Sequence, residues 1–200
     1  MEDKAYHADI LEVYQRSFRD NWSLPALTEY GSDEILSYGE MARRIARIHL
    51  FYQQIGIKPG DKVALLGKNS CTWVMCFMAT ITYGATIVPI LADFNPHDAM
   101  HIINHSGASL LFVNQSMWET YEFDRMPGLK AVVSLETRHV LAERTAEGEA
   151  PVERVVRNLS RRFRTVYRSG FNPEDVKYPK VDKDATAIIN YTSGTTGFSK

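Results

Sequence analysis

The sequence is short of the features that most quickly classify a chain. Cysteine is scarce, with only two in 200 residues. Cys71 and Cys76 both lie in CTWVMCFMAT, which excludes a disulfide framework and reads as a pair of reduced core thiols. Excess charge of either sign is missing. The formal net charge is −1, so no global field points to nucleic acid or to an anionic surface. Apolar runs long enough to span a bilayer are missing too, and the opening MEDKAYHADI carries no signal-like apolar core. No repeat at solenoid spacing is found. These absences point to a soluble, cytoplasmic chain without nucleic-acid partners.

What is present is ordinary for a globular protein, 44% hydrophobic and 24% charged residues, enough for one large domain with a buried core. Tyr6, Ile10, Val13, Tyr14 and Phe18 fall at helical spacing. PALTEY and EILSY flank the turn Gly31-Ser32-Asp33 and read as a hairpin. Ser37 and Glu40 form a capping box for a helix to about residue 54, stopped by Gly56. KVALLG, ATIVPI, SLLFV and AVVSL are strands, and the intervening helices are expected over 70–83, from Asn95-Pro96 to Gly107, and over 117–123. Near-continuous apolar strands alternating with helices predict an α/β fold, a mostly parallel sheet covered by helices on both faces.

The rhythm breaks between residues 137 and 183, read as a charged insertion. ETRHVLAERTAEGEA looks like an exposed or poorly ordered loop. PVERVVRNLSRRFRTVYRSG is a strongly amphipathic helix, with Arg154, Arg157, Arg161, Arg164 and Arg168 on one face. Those arginines read first as a solvated face, with peripheral contact with an anionic membrane as the second reading. His97, His101 and His105 recur on one helix. No accompanying acidic or cysteine ligand pattern supports a metal, so they are read as ordinary helix residues and no metal ligand is assigned.

ATAIINY is expected to be a buried strand, and YTSGTTGFSK leaves its end. Two glycines allow successive backbone N–H groups to face one concavity, hydroxyls add donors, and a lysine adds charge. Such a loop suits phosphate, and ligands of open α/β sheets bind beyond the carboxyl ends of strands. The spacing Gly-x-x-Gly-x-x-Lys is not that of a Walker A loop.

TSGTTGFSK resembles the phosphate-loop signature of the AMP-forming adenylate-forming enzymes: acyl- and aryl-CoA synthetases, luciferases and peptide-synthetase adenylation domains. Ser199 stands where proline is commonest, which frees one φ angle and is expected to tune loop mobility. LSYGEMARRIARI, GIKPGDKVALLGKNS, TYGATIVPI and HIINHSGASLLFV resemble further family segments, in the family's order. IINYTSGTTGFSK is most similar to the long-chain fatty-acid–CoA ligases.

The resemblance implies that residues 1–200 are the incomplete N-terminal domain of a longer ligase. That enzyme would activate a carboxylic acid, a long-chain fatty acid by this similarity, with ATP and Mg²⁺ to an acyl-adenylate. It would then pass the acyl group to coenzyme A. Thr192, Ser193, Gly194, Thr195, Thr196, Gly197 and Lys200 are implied to hold the ATP phosphates and ease departure of pyrophosphate. The family's acidic Mg²⁺-placing residue, ribose-binding aspartate and mobile-domain lysine would lie downstream. The piece alone is therefore expected to be inactive, and its open sheet edge invites self-association. Adenylation for another acid or for a carrier protein, and a non-catalytic phosphate-binding module, stay open as alternatives.

Overall fold

The computed structural model describes residues 9–192. Helix α1 (Ile10–Asp20) leads to an antiparallel hairpin of β1 (Pro25–Thr28) and β2 (Ile35–Ser37). Helix α2 (Tyr38–Gln54) starts at the expected capping box: Ser37 Oγ accepts from Glu40 N–H, and the Glu40 carboxylate accepts from Ser37 N–H. Then follow β3 (Lys62–Leu66), α3 (Cys71–Tyr83), β4 (Thr86–Ile90), α4 (Pro96–Ser106), β5 (Leu110–Val113), α5 (Gln115–Trp118), β6 (Ala131–Ser134), β7 (Val140–Glu143) and α6 (Val152–Val166). Gly84 ends α3 with φ of +85°, in the left-handed region; a glycine holds this conformation without the clash a Cβ would bring.

The five-stranded sheet runs in the order β4-β3-β5-β6-β7, parallel except for the last pair. Alternate residues face opposite sides. Val63 and Leu65 of β3, with Ile87, Leu110, Phe112 and Val133, face a core shared with α2, α3 and α6. Ala64 and Leu66, with Val88, Leu111, Val113 and Val132, face α4 and the Trp118–Phe123 segment. A second helical layer lies outside the first core, where Phe18, Ile45, Met75 and Phe163 meet. Cys71 and Cys76 are free and buried in these layers, and burial pushes the Cys76 thiol up to about 12, which leaves it protonated and inert.

Three sequence expectations are corrected. The helix expected over 117–123 is a single turn, α5, followed by a 3₁₀ turn at Phe123–Arg125. The Asn114 side chain does not cap α5; it bonds across neighbouring strand ends instead. The chain then folds around an aromatic cluster, with Trp118 stacked on Tyr121 and edge-on to Phe123. The stretch expected as a loop after Glu136 contains β7, paired antiparallel with β6. Arg144 fixes its end by donating to the carbonyls of Phe123, Met126 and Leu129, with its guanidinium 3.8 Å from the Phe123 ring centre. Helix α6 then begins without a cap from its own first turn, and the Glu143 carboxylate of β7 accepts from Val152 and Glu153 N–H.

The third correction concerns ATAIINY. It is no buried strand: Ile188 is 40% exposed and makes a single parallel bridge to Ile87 of β4. The segment has one strand neighbour among the described residues.

Candidate functional site

The carboxyl end of the sheet is where the strand-end loops converge. Ile188 lies beside Ile87 and runs parallel to it. The parallel direction points the following residues towards the carboxyl end of β4. Ile87 N–H donates to Ala187 O (2.9 Å), Ile189 N–H to Ile87 O (3.0 Å), and Thr86 Oγ1 to Thr186 O (2.7 Å). Tyr191 leans back onto the α4 face, where its hydroxyl and His105 Nδ1 share a hydrogen bond of 2.7 Å. Thr192 is exposed. Ser193, Gly194, Thr195, Thr196, Gly197 and Lys200 lie outside the described residues.

Helix N-termini at this end are natural phosphate sites, because their first N–H groups are unpaired and the dipole is positive there. In this chain the starts of α3, α4 and α5 carry protein acceptors. Cys71 N–H at the start of α3 donates to the Glu29 carboxylate of the hairpin loop (2.7 Å), and Trp73 N–H donates to Ser70 Oγ (3.1 Å). At the start of α4, Asp98 N–H donates to Asn95 Oδ1 (2.9 Å). Gln115 N–H at α5 donates to Glu136 Oε2 (3.0 Å). A phosphate at any of these starts would meet a side-chain acceptor, a carboxylate at α3 and α5.

Glu136 ties the other strand ends together. Its carboxylate accepts from Gln115 N–H, the Asn114 amide (2.7 Å) and Ser134 Oγ (3.0 Å), while Asn114 Oδ1 accepts from Lys68 N–H (2.7 Å). Burial pushes the Glu136 carboxyl up, but these donors outweigh it and hold the group below its ordinary value. Gly67 permits the closeness: a Cβ there would sit 2.5 Å from Asn114 Oδ1. The network therefore frames the crevice by locking the loops after β3, β5 and β6.

The histidines behave as a structural set. His105 holds Tyr191, His101 and His105 have ring centres 5.7 Å apart, and His97 faces Asp98 at 3.5 Å. Among the described residues no group of three His, Cys, Asp or Glu side chains is placed to hold a metal ion. The arginines of α6 stand exposed, and Arg157 is paired to Glu153 at 2.8 Å. Sequence reasoning missed His105, Asn114 and Glu136 as partners at this end. A polar residue directly after an apolar strand is a readable signal for Asn114. His105 and Tyr191 are 86 residues apart, and no local pattern links them.

The family model for AMP-binding enzymes matches residues 14–200. A long-chain-fatty-acid–CoA ligase of Salmonella typhimurium is 25% identical over 97% of this chain and 36% of its own length. A fatty acid–[acyl-carrier-protein] ligase, ScoC, of Streptomyces coeruleorubidus is 28% identical over 82% of this chain and 27% of its own. The crystal structure of the anthranilate CoA ligase AuaEII in complex with anthranoyl-AMP superposes with a TM-score of 0.72. Its identity is 20%, over 100% of this chain and 35% of that one. The chain thus spans roughly a third of the length of these proteins.

Proposed function

This chain belongs to the AMP-binding enzyme family, and on that premise we propose that it carries the ATP-phosphate-binding part of a ligase that activates a carboxylic acid as its adenylate. One observation supports the reading: the segment after Ala185 runs parallel to β4 at Ile188, in the direction of the carboxyl end of the sheet. The neighbouring helix starts there are already bonded to Glu29, Asn95 and Glu136. Thr192, Ser193, Gly194, Thr195, Thr196, Gly197 and Lys200 then supply the donors and the charge for the β- and γ-phosphates of ATP, which enters with its Mg²⁺. Stabilising the departing pyrophosphate is their contribution to the rate.

The acid we propose is a long-chain fatty acid with coenzyme A as acceptor, in keeping with the similarity to the Salmonella ligase. Delivery to a carrier protein is the second reading, in keeping with the similarity to ScoC. Adenine, acyl and acceptor sites belong to residues beyond this chain in this proposal, so the 200 residues alone do not turn over. The test is ATP–pyrophosphate exchange by the natural reading frame containing this chain, with carboxylic acids graded by length. Exchange that peaks with long-chain acids and collapses in Lys200→Ala supports the reading; exchange with no acid, or exchange indifferent to Lys200→Ala, refutes it. Peripheral contact of a cytoplasmic enzyme with anionic membranes through Arg154, Arg157, Arg161 and Arg164 is a further proposal. Co-sedimentation with anionic liposomes that is lost when Arg157, Arg161 and Arg164 become alanine supports it, and no co-sedimentation at all rules it out.

A further inference from the structure

A cavity of about 630 Å³ opens between α2, α3, β5, β6 and α6, within the size range of small-molecule sites. It lies over β5 and β6 on the face opposite Tyr191, and β3 and β4 separate it from the segment leading to the phosphate loop. Its floor is apolar, built from Phe51, Met75, Cys76, Phe112, Val133 and Leu159. Four arginines, 44, 47, 138 and 157, meet at its walls with a single glutamate, Glu153.

Two of those arginines already have carboxylates. Arg44 pairs with Glu34 at 2.7 Å and Arg157 with Glu153 at 2.8 Å. The other two make no ion pair among the described residues. Arg47 Nε is buried and has no hydrogen-bond partner, although the guanidinium lies 4.9 Å from the Phe163 ring centre. An unpaired buried donor of a charged group is costly and calls for an explanation. Burial first, and then the charges of Arg138, Arg43, Arg44 and Arg164, push the Arg47 guanidinium below its ordinary value. An anion between Arg47 and Arg138 would reverse that repulsion.

Arg138 adds an independent sign. Its φ is +61°, and among the described residues it is the one non-glycine in the left-handed region. It sits in the tight turn between β6 and β7, where Arg138 N–H donates to Ser134 O and Ser134 N–H to His139 O. Turns of this kind favour glycine, and strained residues concentrate where the side chain is used. The strain here puts a guanidinium at the mouth of an apolar cavity.

We propose that this cavity is a binding site for an amphipathic anion, its apolar chain on the Phe51–Phe112–Leu159 floor and its carboxylate or phosphate head between Arg47 and Arg138. The site lies on the sheet face opposite Tyr191, and the inference does not rest on the ligase reading. A free long-chain carboxylate is the occupant that an apolar floor beside two guanidiniums without carboxylate partners favours. A guanidinium pair recognises such a head by charge-assisted, planar hydrogen bonds.

The test is calorimetric titration of the 200-residue chain with dodecanoate below its micelle concentration. Dodecanol serves as uncharged control and anionic phosphatidylglycerol vesicles as a membrane arm. Saturable dodecanoate binding is expected, weakened about tenfold or more in Arg47→Gln and in Arg138→Gly, as loss of a charge-assisted bond implies. Dodecanol should be similarly weak. Arg138→Gly should melt no lower than the parent, because glycine relieves the backbone, so its loss of binding cannot be put down to unfolding. No saturable binding, equal affinity for dodecanol, undiminished binding in Arg138→Gly, or binding to vesicles alone would each overturn the proposal.

Discussion

The centre of the sheet and its β4 edge are built from similar residues and held very differently. In β3, Val63, Ala64, Leu65 and Leu66 have no exposed surface, and the strand is paired on both sides along its length. Ala187, Ile188 and Ile189 are just as apolar, yet they lean on β4 through one bridge and a few hydrogen bonds. Apolar composition alone does not bury a strand; it needs neighbours on both edges and both faces.

The comparison breaks most readily by truncation. Leu65→Ala should cost about 2–5 kcal/mol, as buried leucines do, while Ile188→Ala should cost under about 1 kcal/mol, as exposed sites do. Chemical denaturation of both variants checks this, and equal losses would erase the distinction. A second test probes the helix layer that buries the centre. His49 is enclosed between α2 and α3, with Nε2 3.0 Å from Ala79 O and from Thr82 Oγ1. Burial, opposed by the bond to Ala79, lowers it from 6.5 to about 4. A lowered histidine stabilises the fold fully above the unfolded value. That contribution is lost as pH falls from 6.5 towards 4, on the order of 3 kcal/mol. Melting temperature should drop over that window, and less steeply in His49→Gln. The smallest effect sharpens the edge: Tyr191→Phe removes the bond to His105, worth about 1 kcal/mol. It should speed amide exchange over residues 186–192 with little change in global melting.

What was legible in the sequence follows the same division. Ser37 with Glu40, Asn95 before Pro96, and Gly84 and Gly107 after α3 and α4 carry their instructions within a few residues, and those boundaries fall where expected. The element β7 and the start of α6 depend on distant partners. Arg144 reaches three carbonyls before β6, and Glu143 caps a helix that begins at Val152. The glycine, hydroxyl and lysine spacing of residues 192–200 is local, so the phosphate reading could be made from sequence alone, and it stays a proposal. Its setting was not legible: the occupied helix starts depend on Glu29 and Glu136, which reach them from other loops.

On the proposed function, phosphate recognition belongs to residues 192–200 and not to the helix starts at the carboxyl end of the sheet. Amide hydrogen exchange of the natural reading frame, with and without ATP and Mg²⁺, tests it most directly. Nucleotide should slow exchange over residues 192–200 and leave the first turn of α3 unchanged, and Lys200→Ala should abolish the slowing. Protection at Cys71–Trp73, with none at 192–200, would contradict the account.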